Sequence, residues 1–335
     1  MLLKMNEAQV SLVASFPPGF FLENIAGSTQ TGFYITCLNR QELYWLPPCP
    51  ESGRSVSPLL VATFEEGQRP MGIVNAPHNP NVRYLVTSEL TGSSGGKSYL
   101  RMLDNADSAV RLRTRTIMEF PPSARVLNGL CALSESVLLA ADSFASCIWR
   151  IDLDLSVLPH PTAKAEVWYS HCTMAGKLNL SDIQPGTNGL KYSAKTKYVY
   201  YTSTQQKLVC RVQVDACTFN PVGEAEVLAK GWQWDDLILD DRDDKQAVAY
   251  VTTHRDNAIV KVNLELEDDK VTDHDMKAVV QGPACSDCIG PTAGIWLDGR
   301  VGQSALFLTD GGIKRPPPDG ILRCAKVIRV DFCDV

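Results

Sequence analysis

Tyr200–Val212 reads YYTSTQQKLVCRV, and three other stretches share its grammar: FYITCLNRQELYWL from Phe33, LLAADSFASCIWRI from Leu138 and AYVTTHRDNAIVKV from Ala249. Each has a short apolar run, a small polar pair, a turn, and a second run with alternating apolar residues. That is the pattern of a β-hairpin. Thr36, Ala141, Thr202 and Thr252 stand at one level of the four copies, and Leu43, Ile148, Val209 and Ile259 at another. Two looser copies keep the order: RYLVTSELTGSSGGKSYLRML from Arg83, and LFLTDGG from Leu306, which reaches KVIRVDF after a proline-rich insertion.

Outward from the hairpins, each copy is preceded by a strand with its own signature. These read ENIA at Glu23, MGIV at Met71, NGLCAL at Asn128, NGLKYS at Asn188, DDLIL at Asp235 and AGIWL at Ala293. Before them lie SLVASF, LLVATF, TIMEF, AEVWY, AEVLA and KAVVQ. Repeats of four short strands at a spacing of about 47 to 60 residues, without a long amphipathic helix, predict an all-β, six-bladed β-propeller. SLVASF precedes the first inner strand, whereas the last repeat ends at KVIRVDFCDV without an equivalent. The N-terminal segment is therefore expected to supply the outer strand of the final blade, which removes two exposed edges. Residues 1–335 read as a single domain.

Composition bounds the function. With 335 residues, 44% hydrophobic and 21% charged, the chain has material for a sizeable core. A net charge of -6 and a pI near 5.5 argue against nucleic-acid or anionic-membrane partners. No apolar run approaches the ~20 residues of a membrane span. Lys4, Asn6, Glu7 and Gln9 break any secretion signal in MLLKMNEAQV, so a cytoplasmic location is expected. The eleven cysteines are irregularly spaced, and Cys285 and Cys288 form the only CxxC. A structural zinc site would need a second pair or nearby histidines, so buried free thiols are expected.

In a propeller the innermost strands line the central channel, which gathers Glu23, Met71, Asn128, Asn188, Asp235 and Ala293 into one ring. Asn and Asp are depleted in strands, so strand stability does not require them there. Singly, each can fix a local turn through its own backbone. Together, four converging side-chain oxygens with two negative charges suit a hard divalent cation. Glycines after Asn128 and Asn188 would let the backbone bend to aim these ligands. Asp236, at the level of Gly129 and Gly189, is expected to be a turn residue.

The array, with Glu23 of ENIA, Asn128, Asn188 and Asp235, resembles the senescence-marker-protein/gluconolactonase-like propellers. The resemblance implies one divalent cation, calcium or zinc, held by Glu23, Asn188 and Asp235, with Asn128 looser, and no organic cofactor. It also implies a general base at Asp235. The wording FPPGFFLENIA, ELYWL and the Asp-Asp entry resembles the fungal natural-product branch of the family, which includes hetero-Diels–Alder cyclases joining a quinone methide to a terpene. Apolar neighbours surround the ring: Trp232 and Trp234 before Asp235, Phe20 and Phe21 before Glu23, and Met71 within it. Such residues suit a flat, apolar or aromatic small-molecule substrate.

Three functions follow as expectations. The first is a cyclase whose apolar walls align its reactants while Asn128, Asn188 or His254 donates hydrogen bonds to a quinone-methide oxygen. The second is a metal-dependent lactonase with Asp235 as base. The third is a non-catalytic propeller that binds a protein partner, since fold does not fix function. His254 falls at the level of Glu89 and Ser143 and could relay a proton. GGKS at Gly95–Ser98 lacks the spacing and context of a phosphate loop, and no GxSxG elbow is present. The insertion HCTMAGKLNLSDIQPG, with KRPPPDG near the end, is the candidate lid or pocket wall.

Overall fold

The computed structural model describes residues 8–48, 55–90, 96–105, 108–179, 182–242, 247–264, 276–282, 285–316 and 319–332. Six four-stranded antiparallel sheets stand in a ring, the first five running outward from the channel in chain order. Blades 1 to 5 have inner strands Leu22–Ser28, Gln68–Asn75, Leu127–Ala132, Thr187–Ser193 and Leu237–Asp240. Blade 6 runs Pro291–Trp296, Ser304–Thr309, Cys324–Phe332 and then Ala8–Pro18, so the N-terminal strand is its outer edge as expected. Among the described residues the helical content is two short 3-10 turns, Cys172–Met174 and His254–Asp256. No described helix is long and apolar enough to cross a membrane.

The four matching hairpins pair in the register their sequences suggest: Thr36 with Leu43, Ala141 with Ile148, Thr202 with Val209 and Thr252 with Ile259. Gln41, Ser146, Lys207 and Asn257 hold the left-handed position just before each third strand, with φ between 55° and 58°. Equal turns give equal hairpins, and alternation then sends one face of each blade against the next. The core lies in these seams between blades, as in the cluster of Leu139, Ile148, Leu190, Tyr201 and Cys210 between blades 3 and 4. The nine described cysteines are free thiols, with Cys37, Cys131, Cys147, Cys210 and Cys288 buried. Cys285 and Cys288 belong to no metal-holding group among the described residues.

Hydroxyls lace the blades to one another in order. Thr36 donates to Met71 O (3.0 Å), Ser143 to Thr187 O (2.9 Å), Thr252 to Thr292 O (2.7 Å) and Thr292 to Leu22 O (2.7 Å). Between blades 2 and 3 Ser88 Oγ accepts from Leu127 N at 3.0 Å, and between blades 4 and 5 Thr202 donates to Asp235 O. The small polar residues at the ends of the first five second strands, with Thr292 of the sixth inner strand, are thus the fasteners that set where the inner strands sit.

Candidate functional site

Every inner strand breaks its pairing where the ring begins. The register skips two residues between Leu22 and Ile25, Pro70 and Ile73, Leu127 and Leu130, Thr187 and Leu190, and Pro291 and Gly294. In blade 5 Asp235 N donates to Thr252 O while Thr252 N donates to Asp236 O. A β-bulge turns a side chain out of regular alternation, here toward the channel. The bulges align Glu23, Met71, Asn128, Asn188 and Asp235 as the sequence suggests, but the sixth member is Thr292 rather than Ala293. Ala293 belongs one step on, with Gly72, Gly129 and Gly189, a level at which four of the six residues are small.

The reason for those glycines also differs from the expectation. A Cβ at Gly129 would lie 2.9 Å from Leu190 N, and one at Gly189 2.7 Å from Asp236 Cα. Close approach of the next blade, rather than a bend that aims a ligand, selects glycine. Asn24 and Asp236 are the large exceptions at this level. Asp236 is not a turn residue: it is 4% exposed, pairs with Lys191 Nζ at 3.1 Å and accepts from Asn24 Nδ2 at 3.2 Å. Asn24 and Asp236, one residue beyond the ring, thus meet between blades 1 and 5, and Lys191 reaches them from blade 4.

The ring residues border a space that solvent reaches. Glu23 is 8% exposed, Asn128 6%, Asn188 4% and Asp235 7%, whereas Trp234 and Asp310 are at 0%. A second ring lies at the ends of the second strands and includes Glu89, Ser143, Thr204, His254 and Asp310. Its hydroxyls orient the amides. Thr204 donates to Trp234 O (2.6 Å), so its oxygen accepts from Asn188 Nδ2 (3.0 Å). Ser143 donates to Thr187 O and likewise accepts from Asn128 Nδ2 at 3.3 Å. Asn188 Nδ2 also reaches Asp235 Oδ1 at 2.5 Å. With both amide nitrogens so engaged, both carbonyl oxygens are left as acceptors toward the channel. Among the described residues the Glu23 carboxylate accepts no hydrogen bond at all.

Electrostatics sharpen the picture. Burial raises the Glu23 carboxyl well above the usual range, and the charges of Asp235 and Asp236 add to the effect while Lys314 opposes it. Burial likewise pushes Asp235 up to about 7; His254 and the Asn188 bond lower it, and Asp236 raises it. Lys191 neutralises Asp236, and His254 Nε2 bonds Asp310 Oδ2 at 2.8 Å. Glu23 and Asp235 therefore remain as two carboxylates without a hydrogen-bonded cation. Two carboxylates and two outward amide oxygens match a hard divalent cation in charge and donor type. No three His, Cys, Asp or Glu side chains converge as a metal-holding group among the described residues, because half of this donor set is amide.

The predicted aromatic rim is only partly present. Trp234 is fully buried in the seam between blades 4 and 5 with Leu228, Leu237 and Val251, and Trp232 packs on that cluster with its ring centre 6.4 Å from that of Trp234. Phe20 packs against Phe16 and Tyr44 on the blade 1 and 6 side. Phe21 and Met71 do meet, in one cluster with Leu38, and the Phe21 ring stands 5.2 Å from that of His254. The insertion 171–186 is rooted beside Asn128: Gly186 N donates to Ser143 O, and Met174 is buried in the blade 3 and 4 seam. From KRPPPDG, Lys314 Nζ lies 5.9 Å over Phe21; Pro317 and Pro318, like Gly95 of GGKS, lie outside the described residues. Sequence reasoning missed Asp310, Lys191 and Lys314. Asp310 had a signal, since LFLTDGG places it at the level of His254.

No protein-family model and no curated protein matches the sequence. Solved structures match in fold. A luciferin-regenerating enzyme is 13% identical across 97% of this chain and 95% of its own, with a TM-score of 0.64. Regucalcin, a calcium-binding protein from Agrobacterium tumefaciens, is 14% identical across 96% of each chain, with a TM-score of 0.58. A gluconolactonase from Xanthomonas campestris is 9% identical across 97% of this chain and 89% of its own, with a TM-score of 0.60. At such identities the likeness establishes architecture alone: the chain is a six-bladed propeller similar in fold to these proteins.

Proposed function

We propose that the channel mouth bounded by Glu23, Asn128, Asn188 and Asp235 is the active site of a metal-assisted hydrolase acting on a small cyclic ester, an enzyme of lactonase type. One observation carries this reading: four oxygen donors face the channel, and the two carboxylates among them lack a hydrogen-bonded counter-cation. Glu23, Asn188 and Asp235 would hold the ion, with Asn128 at its margin. An all-oxygen set without His or Cys favours calcium over zinc. A bound divalent cation supplies polarisation of the ester carbonyl and acidifies water. Asp235, facing the same space, takes the proton of the attacking water. Asn188 holds the Asp235 carboxylate in place while it does so. The fold likeness to a gluconolactonase and to calcium-binding regucalcin supports the same reading.

A panel of lactones, assayed after chelation and again after calcium is restored, tests it. Turnover should vanish with chelator and return with calcium, and Asp235→Ala should lower kcat by about 10²–10⁴. A chelated protein of full activity, with Asp235→Ala equally active, would sink the proposal. A second reading keeps the cyclase: Phe21 and Met71 form an apolar patch beside His254, a hydrogen-bond donor suited to a quinone-methide oxygen. Trp232, Trp234 and Phe20 no longer support it, since they pack in blade seams. Product ratios equal to those of the spontaneous reaction would dismiss that alternative.

A further inference from the structure

We propose that Asp310 is a positioning residue: it holds the Nε2–H of His254, so that the imidazolium gives its Nδ1 proton to the leaving oxygen of the ester and is left as the Nε2–H tautomer. The inference rests on the hydrolase reading of the same channel.

Asp310 is built in place from several directions. Its side chain is wholly buried. Oδ1 accepts from Gly312 N at 2.7 Å, and Oδ2 accepts from His254 Nε2 at 2.8 Å and Lys314 N at 3.3 Å. Its own N donates to Gly290 O at 2.8 Å. Gly290 has φ +66°, and a Cβ there would lie 2.7 Å from the Asp310 Cγ, so glycine is required on both counts. A carboxylate with three donors is an acceptor only, which dictates that the Nε2 of His254 carries hydrogen. His254 Nδ1 makes no hydrogen bond among the described residues. Phe21 stands against the ring at 5.2 Å and limits its rotation. Burial lowers the proton affinity of the imidazole, but the charge and hydrogen bond of Asp310 and the charge of Asp235 raise it above its ordinary value, with Arg255 opposing them.

Ester hydrolysis needs two proton transfers. Water attacks the carbonyl carbon and loses a proton to Asp235. The ring C–O bond then breaks, its electron pair passes to the leaving oxygen, and that oxygen takes the proton from His254 Nδ1. Solvent returns the Asp235 proton to His254, so one water and one cyclic ester give one hydroxy acid. The arrangement follows the general logic of a proton carrier oriented by a buried carboxylate.

The test is Asp310→Asn, which keeps the shape but offers His254 an amide N–H. Nitrogen-15 NMR of the five-histidine protein at a pH where His254 is neutral, with His254→Gln to assign the signal, should show its tautomer switching from Nε2–H to Nδ1–H. On a turned-over lactone kcat should fall ~10²-fold or more with KM within about 2-fold. An unchanged tautomer in Asp310→Asn overturns the proposal whether or not a substrate has been found. Full kcat in both Asp310→Asn and His254→Gln, with Asp235→Ala inactive, also overturns it while leaving the hydrolase reading intact. Should Asp310→Asn fail to fold, an Nδ1–H tautomer for His254 in the wild-type protein is the overturning result.

Discussion

Asp235 and Asp236 are neighbours in sequence with separate tasks. The bulge opposite Thr252 sends Asp236 to Lys191 and Asn24, where its charge is matched, and sends Asp235 to the open ring beside Asn188. A pH dependence follows for the metal-free protein. Unfolded Asp and Glu ionise near 4, whereas folded Asp235 does so at about 7 and Glu23 is also raised. Between those values the folded state binds more protons than the unfolded state, so stability is highest at the acid end and falls as pH rises toward 7. Thermal melts between pH 5 and 8 should show that fall, Asp235→Asn should flatten it, and calcium at pH 8 should reverse it in the wild type only. Identical slopes in both proteins would contradict the assignment. At this scale the sequence exposed the oxygen donors through their repeat position. It could not separate a rim tryptophan from a core one, because Trp234 meets Leu228 and Val251 only once the blades close. The His254–Asp310 bond spans 56 residues and was hidden for the same reason.

Among elements, the hairpins were the most legible part because their turns and alternation are local. The sixth inner strand was misread by one step: AG at Ala293 imitates the NG of blades 3 and 4. Gly294 answers a different need, since a Cβ there would lie 2.7 Å from the Phe307 ring. Bulges leave no side-chain signature, so only the paired strands reveal them. The interblade hydroxyls give this scale its prediction. Thr252 Oγ1 accepts from Asp236 N (2.9 Å) and lies within bonding distance of Thr292 O and Asp236 O. Thr252→Val keeps the shape and strands these buried groups, a loss of about 1–3 kcal/mol. Urea unfolding should show a lower midpoint at unchanged slope. Because the same hydroxyl sets the bulge that carries Asp235, calcium affinity should weaken too; an unaltered midpoint would remove the lacing from the account.

For the whole molecule, the ring is held shut by one strand. Ala8–Pro18 pairs antiparallel with Cys324–Phe332, with Ala8 opposite Phe332 and Pro18 opposite Cys324. Val13, Ala14 and Phe16 from this strand are buried with Leu306, Leu308 and Val327, and Val13 O accepts from Val56 N of the blade 1 side at 2.8 Å. The strand therefore fills a seam as well as an edge. Removing residues 1–18 leaves Cys324–Phe332 as an unpaired edge beside an uncovered apolar cluster, the combination that invites association between chains. The truncated protein should aggregate at concentrations where the full chain stays dispersed, as followed by light scattering. A synthetic peptide spanning 8–18 should restore dispersion by adding back as a strand, with backbone bonds giving affinity and Val13 and Phe16 giving register. The same peptide with Ala14→Asp should fail, because Ala14 is at 0% exposure and offers a carboxylate no solvent. A truncated protein that remains dispersed and cooperatively folded would show that the other five blades hold the ring without this clasp.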